Sequence, residues 1–287
     1  MLIRKCVGFR LKIVPESVSI KPSRTLRISS SRNSKRRIKI DVYEPPRKDG
    51  TSERKPLPVH VNFHASGFVL PVHGVNAEIC VHWCRTVGCI VLDVDYAKAP
   101  FYPAPSALED ALDALEYVAS RPDLYDISRV TLGGFSSGAN IAILASLWTK
   151  AKLTVKGVIA WYPPTDLMRT GKPQMSGSFF NAIHRCLRQS YMPPGTDASD
   201  PRISPLFAPS ELFPPLTLIV GSKDKLVVDS VELHKKLEAD GVDCVLSIVP
   251  NAGHAWEWFN NPKHPLWKER VAALDLMERR MKLAMDL

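Results

Sequence analysis

The stretch "GGFSSGAN", residues 133–140, decides the fold. It follows the apolar run "RVTL" and precedes "IAILASLW", so a short β-rich run turns through small residues directly into a helical pattern. Ser136 stands at the centre of that turn in a G-x-S-x-G pattern, with Gly134 and Gly138 where two backbones must pass close together. A serine so placed is either an exposed nucleophile or part of an ordinary small-residue turn, and its surroundings must separate the two.

Further β-rich runs lie on both sides: "IKIDVYEPP" from residue 38, "VHVNF" (59–63), "CIVLDVDY" (89–96), "VIAWY" (158–162), "LTLIVG" (216–221) and "VLSIVP" (245–250). Helical patterns separate most of them. In "SALEDALDALEYVASR" the residues Leu108, Ala111, Leu112, Leu115 and Val118 make one apolar stripe, and Ser106 with Glu109 predicts a capping box at its start. Near the C-terminus Val271, Leu274, Met277 and Met281 recur at helical spacing. Strands alternating with helices, without tight hairpins between them, predict an α/β fold with a mostly parallel central sheet and helices on both faces. Residues 1–287 read as a single domain. The interval 163–215 breaks the rhythm, holding no clear strand and one helix-like piece, "SFFNAIHRCLRQSY", and is read as an inserted cap or lid.

The composition, 45% hydrophobic and 23% charged over 287 residues, is that of a globular protein, and no apolar run approaches the length of a membrane span. The opening "MLIRKCVGFRLKIVPES" lacks an apolar core followed by a small-residue cleavage site, which predicts a cytoplasmic protein. Its Arg-rich, acid-poor character makes a mitochondrial leader the alternative. The net charge of +9 is uneven: residues 1–56 carry 16 Lys and Arg against 5 Asp and Glu, the remainder 22 against 24. The basic stretch "SRNSKRRIKI" is read as a solvated edge hairpin, because no nucleic-acid motif accompanies it. The cysteines Cys80, Cys84 and Cys89 match neither a zinc site nor a C-x-x-C pair, and no metal or cofactor is expected.

In an open parallel sheet, ligands bind beyond the carboxyl ends of the strands. Ser136 follows "VTLGG", Asp224 follows "LTLIVGSK", His254 follows "VLSIVPNAG", and His64 and Gly67 follow "VHVNF". A serine hydroxyl is a weak nucleophile at neutral pH and needs a base within hydrogen-bond reach. An imidazole can take its proton and return it to a leaving group when a carboxylate fixes the tautomer. Ser136, His254 and Asp224 are the residue types for that chemistry, with Asp229 as a rival carboxylate.

The chain resembles the hormone-sensitive-lipase-like branch of the α/β-hydrolases, the α/β-hydrolase fold-3 group, from about residue 38 to 280, and within it fungal-type members. The group's H-G-G-G-F stretch corresponds to "HASGF" (64–68), its D-Y-R-L-A-P to "DYAKAP" (95–100), and its G-D-S-A-G-G-N to "GFSSGAN". "DPRISPLFAP", "PPLTLIVGSKDKLVVDS" and "VPNAGHAW" match the segments around the group's acid and histidine, which puts the acid at Asp224. The resemblance implies Ser136 as nucleophile, His254 as general base and acid, Asp224 as orienting carboxylate, and an oxyanion hole of the backbone N–H groups of Ser66, Gly67 and Ser137. It further suggests Phe68, Trp161, Phe179, Phe180 and Tyr191 as pocket residues, with core packing as the competing role.

Several positions depart from the group's pattern: Ala65 and Ser66 replace glycines, Phe135 replaces an aspartate, Ala97-Lys98 replaces Arg-Leu, and Phe101 replaces an acid. None removes a reacting atom. The expected function is hydrolysis of a small carboxylic ester, such as an acetyl ester of a metabolite, through an acyl-enzyme. An arylformamidase-like amide hydrolase and a lyase or dehydratase are the alternatives, ahead of a ligand-binding non-enzyme. The expected partner is the ester itself, without nucleic acid or membrane insertion, and a homodimer stays open.

Overall fold

The strands pair in the order β1-β2-β4-β3-β5-β6-β7-β8. The elements are β1 (Arg24–Ser29), β2 (Arg37–Tyr43), β3 (Leu57–Phe63), α1 (Ala77–Val87), β4 (Ile90–Asp95), α2 (Ser106–Ala119), β5 (Tyr125–Phe135), α3 (Ser137–Trp148), β6 (Val155–Trp161), α4 (Ser178–Tyr191), β7 (Leu216–Gly221), α5 (Val227–Ala239), β8 (Cys244–Val249) and α6 (Trp267–Met285). The computed structural model describes residues 20–33, 35–46, 55–169 and 178–287, with 178–184 described by backbone alone. The opening stretch on which the leader readings rest, residues 1–17, lies outside the described residues. No described helix is long and apolar enough to cross a membrane.

β2 runs antiparallel to both β1 and β4, while β4, β3 and β5 to β8 are parallel throughout. The middle strands are buried almost without interruption, as a parallel sheet covered on both faces requires. On one face α1 and α6 bring Trp83, Met277 and Met281 into a cluster with Val91, Ile159 and Ile219. On the other, α2, α3 and α5 bring Leu115, Ile143 and Leu233 against Val61, Leu132 and Leu218. Helix α3 is buried around nearly its whole circumference, which explains its lack of a polar face.

The basic N-terminal stretch does form an edge hairpin, with Ser29 paired to Arg37. Many of its cations face acids. Arg24 meets Glu44 at 2.9 Å, Lys39 meets Asp41 at 2.9 Å, and Arg36 grips Asp110 of α2 with two guanidinium nitrogens. Two local expectations fail. Ser106 is the first residue inside α2, where Pro105 occupies the cap position, so no capping box forms. The Ser106 hydroxyl and the Glu109 carboxylate instead both meet Arg32. In α6, Val271 is 38% exposed, and the buried face runs through Arg270, Ala273, Leu274, Met277, Met281 and Met285.

A charged network lies under the loop that leaves β3. Asp41 and Asp93 are register partners on β2 and β4. The imidazole of His73 reaches both carboxylates, Asp93 at 3.3 Å and Asp41 at 3.6 Å. Asp93 is fully buried and also accepts from Asn62 at 2.7 Å. Burial alone would lower the His73 pKa, but the facing Asp93 carboxylate outweighs it and the net shift is upward. Burial would likewise raise Asp93, but His73 outweighs it and the net shift is downward. A raised histidine stabilises the fold fully below its unfolded pKa and loses that contribution as pH rises through its folded value. A depressed aspartate stabilises above its unfolded pKa and loses the contribution as pH falls through its folded value. The pair is therefore at full strength between about pH 4 and 6.5. Urea titrations of His73→Gln should show a loss of about 3 kcal/mol in that window, shrinking toward pH 9. A loss independent of pH would remove the charge from the explanation.

Candidate active site

The chain turns from β5 into α3 at Ser136, whose φ of 52° and ψ of −119° lie in a region that non-glycine residues rarely occupy. The Ser136 N–H donates to the Trp161 carbonyl at 2.9 Å, which pins the turn to the end of β6. The conformation depends on close backbone approach. A Cβ on Gly138 would lie 1.9 Å from the carbonyl oxygen of Phe63, the last residue of β3. Asn140, one turn into α3, donates its amide to the carbonyls of Pro164 and Ile203 and ties the helix start to the segment after β6.

Two further loops converge on the serine. His254 Nε2 lies 3.1 Å from Ser136 Oγ, and His254 Nδ1 lies 2.8 Å from Asp224 Oδ2. With Nδ1–H donated to the carboxylate, the Nε2 lone pair faces the hydroxyl, the arrangement a general base needs. The loops carrying Asp224 and His254 are stitched together by backbone bonds from Ser222 N–H to Val249 O and from Lys223 N–H to Ala252 O, both 2.9 Å. Gly221 permits this, because a Cβ there would lie 2.3 Å from the Ala252 carbonyl oxygen. Asp224 is buried while His254 is exposed, so the base opens to solvent above a sheltered acid. The rival Asp229 points elsewhere. Its Oδ2 accepts the N–H groups of Thr165 and Asp166 at 3.0 and 3.1 Å and fixes the chain after β6.

The loop leaving β3 carries the other expected donors, and here one expectation is corrected. The Ser66 N–H is not free, because it donates to Ser137 Oγ at 3.0 Å. The Ser66 hydroxyl bonds the Tyr96 hydroxyl at 2.7 Å, and Tyr96 donates to the His64 carbonyl at 2.7 Å. Ser66, a departure from the group's pattern, and Ser137 thus meet in one hydroxyl cluster. Among the described residues nothing accepts from the N–H groups of Gly67 and Ser137, which remain available beside Ser136. Burial, aided by the Lys98 ammonium, lowers the His64 pKa, so its neutral ring donates Nδ1–H to the Ala65 carbonyl at 2.9 Å and shapes the loop. Lys98 lies 3.6 Å above the Tyr96 ring and 3.0 Å from Asp95, while His64 also stacks on Tyr96.

Of the expected pocket residues, Trp161 is a core residue. It is fully buried between Phe135 and Trp256, facing away from Ser136 into the α1–α6 side of the sheet. Phe135 completes that aromatic stack, which accounts for an apolar ring where the related pattern has an aspartate. Phe68 and Tyr191 stack face to face at 3.8 Å, directly after Gly67. Leu187 of α4 approaches Gly67 itself. The side chains of Phe179 and Phe180 lie outside the described residues.

Three residues of the site were not singled out from the sequence: Tyr96, Tyr162 and Glu257. The Tyr162 ring lies 4.5 Å from the His254 ring, and its hydroxyl donates to the buried Glu257. Burial pushes the Glu257 carboxyl up to about 7. The available signal was an acid set among aromatics, in "HAWEWF", three positions after the histidine.

A serine on a strained strand-to-helix turn, a histidine–carboxylate pair beside it and unbonded loop amides at the carboxyl ends of parallel strands are features of the α/β-hydrolase class. The chain belongs to the alpha/beta hydrolase fold family whose pattern matches residues 60–257. It is 27% identical over 226 residues to an AB hydrolase superfamily protein of Schizosaccharomyces pombe, covering 72% of this chain and 66% of the relative. It is 26% identical over 207 residues to an acetyl esterase of Salmonella paratyphi B, covering 67% of this chain and 63% of the relative. The chain thus spans a little under two thirds of these relatives' length. In structure it resembles a hyperthermophilic esterase of the archaeon Pyrobaculum calidifontis, with a TM-score of 0.81 at 24% identity over 99% of this chain and 93% of the other.

The contact at Gly138 predicts that Gly138→Ala loses about 4 kcal/mol or more, since the added carbon meets rigid backbone. Thermal unfolding of the purified variant measures this, and an unchanged midpoint would mean the turn tolerates a wider spacing.

Proposed function

We propose that the protein is a carboxylesterase-type serine hydrolase that cleaves a small carboxylic ester through an acyl-enzyme. The observation that carries this is the continuous hydrogen-bond line from Asp224 through His254 to Ser136. Ser136 Oγ attacks the ester carbonyl while His254 Nε2 takes its proton, and Asp224 stabilises the imidazolium. The negative charge developing on the carbonyl oxygen is met by the N–H groups of Gly67 and Ser137. Each such donor lowers a barrier of this kind by about 3 kcal/mol. His254 then protonates the departing alcohol oxygen, leaving the acyl group on Ser136. Water, deprotonated by His254, attacks that ester, and the acid leaves as Ser136 regains its proton.

A short acyl group is favoured by the stacked Phe68 and Tyr191 beside the loop of Gly67 and by the similarity to an acetyl esterase. Similarity to the fission yeast protein supports the fungal-type resemblance. Residues 163–215 act as the cap in this scheme, since α4 reaches Gly67 through Leu187.

A fluorophosphonate probe should label the wild-type chain and fail on Ser136→Ala; equal labelling of both would end the proposal. With p-nitrophenyl acetate, His254→Ala and Asp224→Asn should each lower kcat by about 10⁴-fold, whereas Asp229→Asn should stay within about threefold. Ser137→Ala releases the Ser66 N–H as a third donor and should raise kcat about tenfold with KM unchanged. A fall in kcat instead would assign the Ser137 hydroxyl to holding the loop in place.

A further inference from the structure

Beyond the Tyr162 ring that lies against His254, the structure holds a second acid that the three-residue scheme does not use. Glu257 is fully buried in the short helical turn Trp256–Trp258 that follows the histidine. Its Oε1 accepts the Tyr162 hydroxyl, and its Oε2 has no hydrogen-bond partner among the described residues. Tyr162 is also fully buried and takes a positive φ of 40° immediately after β6. Its N–H donates to the Ile219 carbonyl at 2.7 Å, so the strained backbone is anchored to β7. That conformation places the phenol ring 4.5 Å from the His254 ring at an interplanar angle of 59°.

A buried carboxyl with one unmet oxygen is a standing cost to the fold, and a strained tyrosine is another. Both converge on the same imidazole. We propose, building on the triad assignment above, that Glu257 acts through Tyr162 as a positioning residue for His254, holding the phenol ring against the imidazole and so keeping Nε2 aimed at Ser136.

The groups facing Glu257 make this specific. Tyr162 comes from the end of β6 and His254 from the loop after β8. Arg270 of α6 donates Nε–H to the Glu257 carbonyl at 2.7 Å and Nη2–H to Glu78 of α1 at 3.0 Å, so its charge is shared with a second acid. Asp224 is close enough to act on the Tyr162 hydroxyl electrostatically.

Glu257→Gln keeps an acceptor for Tyr162; Tyr162→Phe keeps the ring and breaks the link. The test is the separate measurement of kcat and KM for p-nitrophenyl acetate, with fluorophosphonate labelling and thermal unfolding of each variant. Tyr162→Phe should lower kcat about threefold with KM unchanged, while Glu257→Gln stays near the wild-type kcat because the hydrogen bond is kept. A substitution that only weakened the fold would lower the unfolding midpoint without this split between the two variants. If Glu257→Gln does not fold, Tyr162→Phe alone reads the same kcat. A wild-type kcat in Tyr162→Phe with normal Ser136 labelling overturns this inference alone. Absence of Ser136-dependent labelling in the wild type overturns the triad and this inference with it.

Discussion

The contact on which the rest depends is the approach of the first turn of α3 to the carbonyl at the end of β3. No side chain fits between Gly138 and Phe63, so the helix start is drawn beneath the last residue of the neighbouring strand. That one constraint places Ser136 above the sheet and puts Ser137 beneath the loop carrying Ser66 and Gly67. A wider spacing would separate the Ser136 hydroxyl from the amides of Gly67 and Ser137. The same logic recurs at Gly221, where a second backbone contact joins the carboxylate loop to the histidine loop. Two steric contacts, each between backbones, set the positions of Ser136, Asp224 and His254. The side-chain hydrogen bonds then act over distances already fixed.

This division explains what was legible in the sequence. The elbow could be read because its requirement is local: small residues at fixed offsets around a serine, between a strand pattern and a helix pattern. The strands of the parallel sheet could be read for the same reason, since burial on both faces leaves continuous apolar runs. The helix Ser178–Tyr191 likewise stands out by periodicity amid an irregular interval.

What could not be read depends on contacts between distant segments. The Ser66 amide was expected to be free because its backbone position matches a donor, but the Ser137 side chain fills the place where an alanine would leave it open. The family resemblance suggested Trp161 for the pocket, with core packing as the competing role. Strand alternation turns it to the opposite face, where Phe135 and Trp256 wait. Ser106 and Glu109 have the spacing of a cap, yet Arg32, from a hairpin 74 residues earlier than Ser106, takes up both. The first strand of that hairpin, β1, escaped notice because its alternation of half-buried and exposed residues contains too few apolar side chains. For Ser66, Trp161, Ser106 and Glu109 the residue was identified and its partner was not.

The backbone at Ser136 has a consequence of its own. A non-glycine residue held in that conformation stores about 1–3 kcal/mol, a sizeable part of what separates a folded domain from its unfolded ensemble. Every other contact at the elbow must hold that spring compressed. Glycine at that position would adopt the same backbone without strain and leave a sturdier molecule. The serine is a standing cost that every folded copy of the chain carries.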